Sequence, residues 1–196
     1  MQRRRALVIV DMQRDFAHLG GSLFIPRAPE IVPTLIALIE EARREGAPIA
    51  WSQDWHPSQT PHFNAYGGTW PAHCIAGSAG AELIPELEPL MTPEDIVIRK
   101  GVNGEDGYSA FNVRDPLTAV EQPTELDTKL QELKIELITI AGVATDWCVR
   151  ASALDALKAG YAVEVVRAAV AGVNLQPADS DAALYEIAAA GGVIRS

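Results

Sequence analysis

The sequence predicts a three-layer α/β/α fold in which a mainly parallel sheet is covered by helices on both faces. Two observations predict it: short aliphatic segments alternate with amphipathic segments along the chain, and the first aliphatic run, at residues 6–10, is uninterrupted by polar residues. An uninterrupted apolar run is typical of a parallel strand that is buried on both faces. Because no repeat, low-complexity stretch or linker divides the chain, we expect one domain over residues 1–196.

The elements can be placed in order. The first strand is predicted at residues 6–10, where the sequence reads Ala-Leu-Val-Ile-Val. A helix is predicted at 29–46, because apolar residues recur there at helical spacing and glycine follows as a stop signal. The remaining elements are strands at 49–52, 95–99, 136–141, 162–166 and 193–194, and helices at 146–160 and 179–190.

The segment 54–80 fits neither the helical nor the strand period, and it contains three of the four histidines. Long irregular connections in compact domains are usually functional, so we expect the functional site to include this segment. The fourth histidine, His18, is isolated in the sequence and is predicted to be an exposed turn residue.

Composition and charge exclude several classes of protein. The chain has 26 acidic and 16 basic residues, a formal net charge of -10, which disfavours nucleic acid and anionic membranes as partners. Its apolar runs are shorter than the roughly 20 residues of a membrane-spanning helix. The basic start at residues 1–5 is followed by a run that Asp11 interrupts, so no targeting signal is predicted. Two cysteines are too few for a disulfide scaffold, which favours the cytoplasm.

Chemically useful side chains follow four predicted strands. They are Asp11, Asp54, Lys100 and, slightly further on, Cys148. Each alone has a simpler interpretation, since acids often cap helices and lysines are usually solvated. The carboxyl ends of parallel strands meet at one edge of the sheet, where ligands bind, so together these residues predict a site.

The surroundings of Cys148 indicate a nucleophile. A tight turn at 142–146, with Thr145 or Asp146 as helix N-cap, would place the thiol among free helix amides, which favour the thiolate and could hold an oxyanion. Lys100 would favour the thiolate further, and Asp11 would accept and return the proton. These residues predict a cysteine hydrolase. Cys74 is instead expected to be a buried apolar residue.

A metal site is one of two interpretations of the segment 54–80. Asp54, His56, His62 and His73 offer the nitrogen and oxygen ligands that Zn, Fe and Mn prefer. In an extended segment, the first two would point to the same side. Unrelated loop histidines that bond backbone groups would give the same spacing, so the sequence leaves both interpretations open.

Aromatic residues near the predicted strand ends indicate a pocket for a flat ligand. Phe16 shares this region, and Trp70 and Tyr108 are interpreted as pocket residues. Phe111 is interpreted as a core residue.

Five motifs occur in order along the chain and together resemble the isochorismatase-like cysteine hydrolases, most closely the nicotinamidases, also called pyrazinamidases. The last quarter of the chain adds a compatible α/β pattern. The motifs are Asp11-Met-Gln-Arg-Asp-Phe16, Gln53-Asp-Trp-His-Pro57, Trp70-Pro-Ala-His-Cys74, Lys100-Gly101 with Tyr108-Ser-Ala-Phe111, and Gly142-Val-Ala-Thr-Asp-Trp-Cys-Val149.

The resemblance implies specific roles. It implies an oxyanion hole formed by the backbone amides of Ala144 and Cys148, with a cis peptide between Val143 and Ala144. The remaining roles that it implies are a catalytic triad of Asp11, Lys100 and Cys148, metal ligands Asp54, His56, His62 and His73, and ring-binding residues Phe16, Trp70 and Tyr108.

The activity implied by the resemblance is hydrolysis of nicotinamide, and of pyrazinamide, to the acid and ammonia through a thioester on Cys148. The implied cofactor is one divalent metal ion that holds the ring nitrogen, zinc first, with iron and manganese as alternatives. The expected partner is a small heteroaromatic amide, and the sequence leaves open whether the chain forms a homo-oligomer.

Two other functions stay open beside this one. The first is a metal-independent amidase of the same superfamily that acts on ureido or carbamoyl substrates. The second is a noncatalytic scaffold, which would have no need for the triad. Departures from the commonest pattern, at residues 57–61, at Ala76 and in the segment before Tyr108, concern the substrate more than the chemistry.

Overall fold

The computed structural model describes residues 3–196, so Met1 and Gln2, which contributed to the prediction about targeting, lie outside the described residues. Within residues 3–196, every helix is too short or too polar to cross a membrane. The elements in chain order are β1 (Arg5–Val10), α1 (Arg14–Ala17), α2 (Ala28–Glu45), β2 (Ile49–Asp54), β3 (Ile96–Lys100), β4 (Asn112–Arg114), β5 (Glu121–Pro123), α3 (Leu126–Glu132), β6 (Leu137–Val143), α4 (Arg150–Lys158), β7 (Ala162–Ala171), α5 (Asp179–Ala189) and β8 (Val193–Arg195).

Six of these strands form a parallel sheet in the order β3-β2-β1-β6-β7-β8. One core lies between the sheet and α2, and it contains Leu35. A second core on the opposite face contains Leu130 of α3, Ala153 of α4 and Ile187 of α5. The structure therefore confirms the predicted three-layer α/β/α fold with a mainly parallel sheet.

The central strand β1 shows why residues 6–10 form an uninterrupted apolar run. Successive side chains of a strand point to opposite faces. Leu7 and Ile9 belong to the core beneath α2, whereas Ala6 and Val8 belong to the core on the other face. Because both faces are covered, both sets of positions are apolar.

Every predicted helix and strand is present, with shifted ends. The largest shift is in β7, which continues to Ala171 instead of ending at residue 166. The short helices α1 and α3 and the antiparallel hairpin of β4 and β5 were not predicted. Each strand of the hairpin is only three residues long, and all three residues of β5 are exposed. The hairpin therefore has no alternation of apolar and polar residues from which it could be predicted.

The topology defines where a ligand can bind. β1 and β6 are neighbours, but the chain continues from β1 to β2 on one side and from β6 to β7 on the other. In open parallel sheets, ligands bind beyond the carboxyl ends of the strands at such a switch point. The segment after β2 is largely irregular, with single helical turns at Asn64–Tyr66 and Ala79–Ala81, as its sequence predicted.

Candidate active site

The side chain of Lys100, at the end of β3, joins the residues predicted as a triad. Lys100 is completely buried. Its Nζ donates hydrogen bonds to Asp11 Oδ2 at 2.7 Å, to the backbone oxygen of Tyr108 at 3.2 Å and to Cys148 Sγ at 3.6 Å. Side chains from the ends of three strands thus meet at the switch point.

Asp11 is held from two sides. Its other carboxylate oxygen, Oδ1, accepts a hydrogen bond from Ser52 Oγ at 2.6 Å, and its backbone N–H donates to the Ser52 carbonyl at 3.1 Å. Asp11 has a φ of 50°, in the left-handed region that aspartate tolerates better than most residues. Burial raises the pKa of Asp11, although the Lys100 ammonium opposes this rise. Asp11 is therefore a fixed carboxylate with an increased tendency to take up a proton.

A glycine allows β6 to approach the end of β1 closely. Gly142 has a φ of 114°, and a Cβ atom there would overlap the backbone of Val10. A larger residue would push the turn that carries Cys148 away from Asp11.

Asp54 connects the Lys100 cluster to the histidines. Lys100 Nζ forms an ion pair with Asp54 Oδ1 at 2.9 Å. Asp54 Oδ2 lies 3.7 Å from His56 Nε2 and 3.6 Å from His73 Nε2. Burial would raise the pKa of Asp54, but Lys100 and the two imidazoles lower it well below its usual range. Asp54 therefore carries a negative charge between the ammonium and the rings.

The turn before Cys148 differs from the prediction. A π-helical turn, Thr145–Val149, begins after Ala144, and neither Thr145 nor Asp146 caps it through its side chain. The Asp146 carboxylate instead accepts hydrogen bonds from backbone N–H groups 27 and 28 residues further along the chain. The predicted N-cap was wrong because the backbone N–H groups of Val173 and Asn174, in the loop after β7, bind the Asp146 carboxylate.

The pKa of Cys148 is shifted against the predicted preference for a thiolate. Burial raises the pKa of Cys148 well above its ordinary value; Lys100 lowers it, but Asp11 raises it again. This direction favours the thiol form, for which the predicted proton acceptor is Asp11.

The peptide bond between Val143 and Ala144 is cis, as the resemblance implied. Val143, Ala144 and Cys148 all line one cavity. The oxyanion hole formed by the amides of Ala144 and Cys148 stays a prediction.

Three histidines converge beside this cavity. Ligand atoms of His56, His62 and His73 all lie within 4.8 Å of one another, and all three residues are buried. His62 Nδ1 bonds Asp106, and His73 Nδ1 bonds the carbonyl of Pro71 at 2.7 Å, which leaves the Nε2 atom of each ring free to act as a ligand. This arrangement favours the metal interpretation over unrelated loop histidines.

The ring of His56 supports the same conclusion. Among the described residues, neither of its buried nitrogens has a hydrogen-bond partner. A buried, unpaired polar group is costly, so a metal ligand fits this position. A Cβ atom at Gly101 would overlap the His56 ring, so the glycine after Lys100 provides the space for it. Burial and the neighbouring His56 lower the pKa of His62, which favours the neutral form that binds metals.

The predicted aromatic residues form walls of the cavity. Phe16, Trp70 and Tyr108 line it together with Asp11, Asp54 and Cys148. Trp70 Nε1 donates to the Tyr108 hydroxyl at 3.1 Å, which holds the two rings together. Phe111 lies in the core beneath α4, as interpreted from the sequence.

Sequence reasoning missed several residues of the site. Trp147 lines the cavity and packs edge-on against Trp70, with ring centroids 4.9 Å apart. Its position beside Cys148 could have identified it. Val173 also lines the cavity, but it belongs to a loop that carries no recognisable sequence pattern. Asp106 also gave none, because its role depends on a contact with His62, 44 residues away.

Cys74 and His18 lie where they were predicted. Cys74 is completely buried in the core beneath α2, and its Sγ donates to the carbonyl of Gly80 at 3.9 Å. His18 is exposed at the end of α1.

Comparisons with known proteins agree with this geometry. The family model of the isochorismatase domain matches residues 5–196. The chain is 37% identical to the nicotinamidase of Escherichia coli (strain K12), over 97% of this chain and 93% of that protein.

Two solved structures are similar over nearly the whole chain. The first, the pyrazinamidase of Pyrococcus horikoshii in complex with zinc, has a TM-score of 0.86 at 36% identity, over 97% of this chain and 98% of that one. The second, from L. infantum in complex with nicotinate, has a TM-score of 0.85 at 35% identity, over 98% and 92% of the two chains.

Proposed function

The chain belongs to the isochorismatase family and, within it, to the nicotinamidases, and on this basis we propose that it hydrolyses nicotinamide, and also pyrazinamide, to the acid and ammonia. One observation carries the proposal: a cavity with aromatic walls is lined both by Asp11 and Cys148 and by His62 and His73 of the converging histidines. A small heteroaromatic amide has a carboxamide and a ring nitrogen to match these two groups.

The first half of the reaction forms a thioester. Asp11 takes the proton from Cys148, and the sulfur attacks the carboxamide carbon, so that an S–C bond forms and the carbonyl electron pair moves to oxygen. The backbone amides of Ala144 and Cys148 hold this oxyanion. When the C–N bond breaks, Asp11 returns the proton to nitrogen, which leaves as ammonia.

The second half releases the acid. Water gives a proton to Asp11 and attacks the thioester carbon, the C–S bond breaks, and the proton passes from Asp11 to the sulfur. Asp11 acts twice as base and twice as acid, which suits a carboxyl whose pKa burial raises. Asp11 and Asp54 outweigh the effect of burial and raise the pKa of Lys100 well above its ordinary value, which favours the charged ammonium. Its role is to hold Asp11 in place and to stabilise negative charge at the sulfur.

His56, His62 and His73 would hold the metal, with Asp54 as a fourth ligand that also faces Lys100. The bound ion would accept the lone pair of the ring nitrogen. We assign zinc first, because it suits imidazole and carboxylate ligands, with iron and manganese as alternatives.

The rival function, a metal-independent ureido or carbamoyl amidase, has no use for three buried histidines whose nitrogens converge. A noncatalytic scaffold has no use for a buried ammonium between two carboxylates, because such charges are expensive to bury. The site therefore favours the nicotinamidase function over both.

Metal analysis combined with ammonia release tests the proposal. The purified protein is assayed with nicotinamide, pyrazinamide, benzamide and an N-carbamoyl amino acid, before chelation, after it, and after zinc, iron or manganese is restored. We expect about one metal ion per chain, hydrolysis of the two heteroaromatic amides, and poor hydrolysis of benzamide. Equal rates for benzamide and nicotinamide, or preference for the carbamoyl substrate without metal, would refute the proposal.

A further inference from the structure

The loop between β7 and α5 forms part of the cavity wall. Within it, Val173 lines the cavity together with the aromatic residues and is partly buried. Its backbone, like that of the rest of residues 172–178, belongs to no helix or strand. The position of this wall must therefore be fixed by specific contacts.

Asp146 supplies the main contacts. Its Oδ1 accepts a hydrogen bond from the Val173 N–H at 2.9 Å, and its Oδ2 accepts one from the Asn174 N–H at 2.7 Å. Hydrogen bonds to an ionised carboxylate are stronger than neutral ones. Since Asp146 lies two residues before Cys148, it ties the cavity wall directly to the turn that carries the thiol.

A second group of contacts holds the far side of the loop. Asn174 Oδ1 accepts from the Ser180 N–H at 3.0 Å, and Asn174 Nδ2 donates to the Gly172 carbonyl at 3.2 Å. Asn174 has a φ of 53°, a conformation that asparagine adopts more readily than most residues. A Cβ atom at Gly172 would overlap Ser180 Oγ, so the loop lies tightly against the start of α5.

We propose that Val173 determines which ring substituents the cavity accepts, and that Asp146 is the positioning residue that fixes Val173 relative to Cys148. This inference rests on the proposed function, since it concerns the ring of the same amide substrate. It implies that a substituent on the ring edge facing Val173 is excluded by the isopropyl group, and that this exclusion weakens when either residue is changed.

The test measures kcat and KM for nicotinamide and for nicotinamides methylated at each free ring carbon in turn. The variants are Val173→Ala, Asp146→Asn and the double variant. In Val173→Ala we expect the preference for one methylated isomer over nicotinamide to rise about tenfold, because one methyl group in an apolar pocket is worth at least that factor. Asp146→Asn should shift the same ratio in the same direction, mainly through KM.

The double variant separates positioning from an independent effect. If Asp146 acts through Val173, the substitution Asp146→Asn should change the substrate ratio less in the Val173→Ala variant than in the wild-type protein. Full additivity would overturn the positioning role. A ratio unchanged by Val173→Ala for every isomer would overturn the specificity role.

Asp179→Asn is the matched control. The Asp179 carboxylate accepts a hydrogen bond from the Gln176 N–H of the same loop at 2.8 Å, but this contact is exposed. The charge change is identical, so we expect the substrate ratio to stay within about twofold of wild type. An equal shift in this control would mean that the loop responds to any loss of anchoring, and would also overturn the role of Asp146.

Two further measurements keep the inference falsifiable. If Asp146→Asn does not fold, Asn174→Gly removes the other side-chain anchors while permitting the left-handed backbone, and should shift the ratio in the same direction. Binding of nicotinate and its methylated forms, followed by tryptophan fluorescence, should show the same order of preference without turnover. Failure of wild type to release ammonia from nicotinamide would count against the proposed function, whereas an unchanged ratio of binding affinities in Val173→Ala would count against this inference.

Discussion

The side-chain amide of Gln13 holds the backbone of Asp54 at both of its polar atoms. Gln13 Oε1 accepts a hydrogen bond from the Asp54 N–H at 2.8 Å, and Gln13 Nε2 donates to the Asp54 carbonyl at 2.6 Å. A third bond runs from Nε2 to the carbonyl of Ala81 at 2.8 Å. The segment after β1 thus fixes the residue that lies between Lys100 and the histidines.

Gln13→Ala should destabilise the protein. It would leave three buried backbone groups unpaired, and we expect a loss of about 3 kcal/mol or more in the free energy of unfolding. Urea unfolding followed by circular dichroism measures this loss. Gln131→Ala is the control, because its amide bonds Asp127 at the surface. Equal stability of the two variants would contradict the structural role of Gln13.

Cys148→Ala should remove turnover and leave the fold intact, because alanine is well tolerated in a helical turn. We expect amidase activity to fall at least about a thousandfold, as it does when other catalytic nucleophiles are removed. Ammonia release, with the circular dichroism spectrum and metal content of the same sample, measures the effect.

Cys74→Ala is the matched control for this loss. Cys74 is buried in the core beneath α2, so its replacement should leave activity nearly unchanged. Substantial activity in Cys148→Ala, or loss of activity in Cys74→Ala alone, would contradict the assignment of Cys148 as the nucleophile.

Lys100→Ala and Asp11→Asn should both lose most activity but move the pKa of Cys148 in opposite directions. Lys100 lowers the pKa of the thiol and Asp11 raises it, so removing the ammonium should raise that pKa further and removing the carboxylate should lower it. Alkylation of Cys148 would therefore need a higher pH in Lys100→Ala and a lower pH in Asp11→Asn.

The measurement is the rate of iodoacetamide alkylation against pH, made in a Cys74→Ala background so that one thiol reacts. If Cys148 is alkylated more readily in Asp11→Asn and yet the variant releases no ammonia, Asp11 is needed for proton transfer and not for making the sulfur reactive. A thiol pKa that does not rise in Lys100→Ala would refute the electrostatic role of Lys100.

The meeting of Asp11, Lys100 and Cys148 could be predicted from the sequence because it depends on topology. Aliphatic runs marked the strands, and a parallel sheet brings the carboxyl ends of β1, β3 and β6 to one edge. The raised pKa of Cys148 could not be predicted, since it depends on burial and on two carboxylates that tertiary structure brings near it.

Contacts between distant segments explain the other errors. Asp146 is of a residue type that often caps helices and precedes a predicted helix, but its carboxylate accepts hydrogen bonds from the backbone of Val173 and Asn174. The hairpin of β4 and β5 is polar and short, yet it contributes to the site, because Arg114 pairs with the backbone of Asp106. Neither contact leaves a periodic signal in the sequence.

The pairing of Asp106 with His62 leads to a prediction about metal affinity. The Asp106 carboxylate bonds His62 Nδ1, and its backbone N–H donates to the Arg114 carbonyl at 2.7 Å, which anchors it to the hairpin. A carboxylate on the second nitrogen fixes the orientation of an imidazole ligand and makes it a stronger donor, and losing such a partner typically costs about 10–100-fold in metal affinity. Asp106→Ala should show this full loss.

Asp106→Asn should lose less, because the amide oxygen can still accept a bond from Nδ1–H although it carries no charge. Competition with a chromogenic zinc chelator gives the dissociation constant of each variant independently of turnover, and the expected order of affinity is wild type, Asp106→Asn, Asp106→Ala. Asp115→Asn is the control, since its carboxylate accepts bonds from the backbone of Leu117 and Thr118 at the surface, and its affinity should stay within about twofold of wild type. Asp106→Ala with the affinity of wild type would show that the hairpin does not support the metal site, and His62 would then have to be held by the rings packed around it.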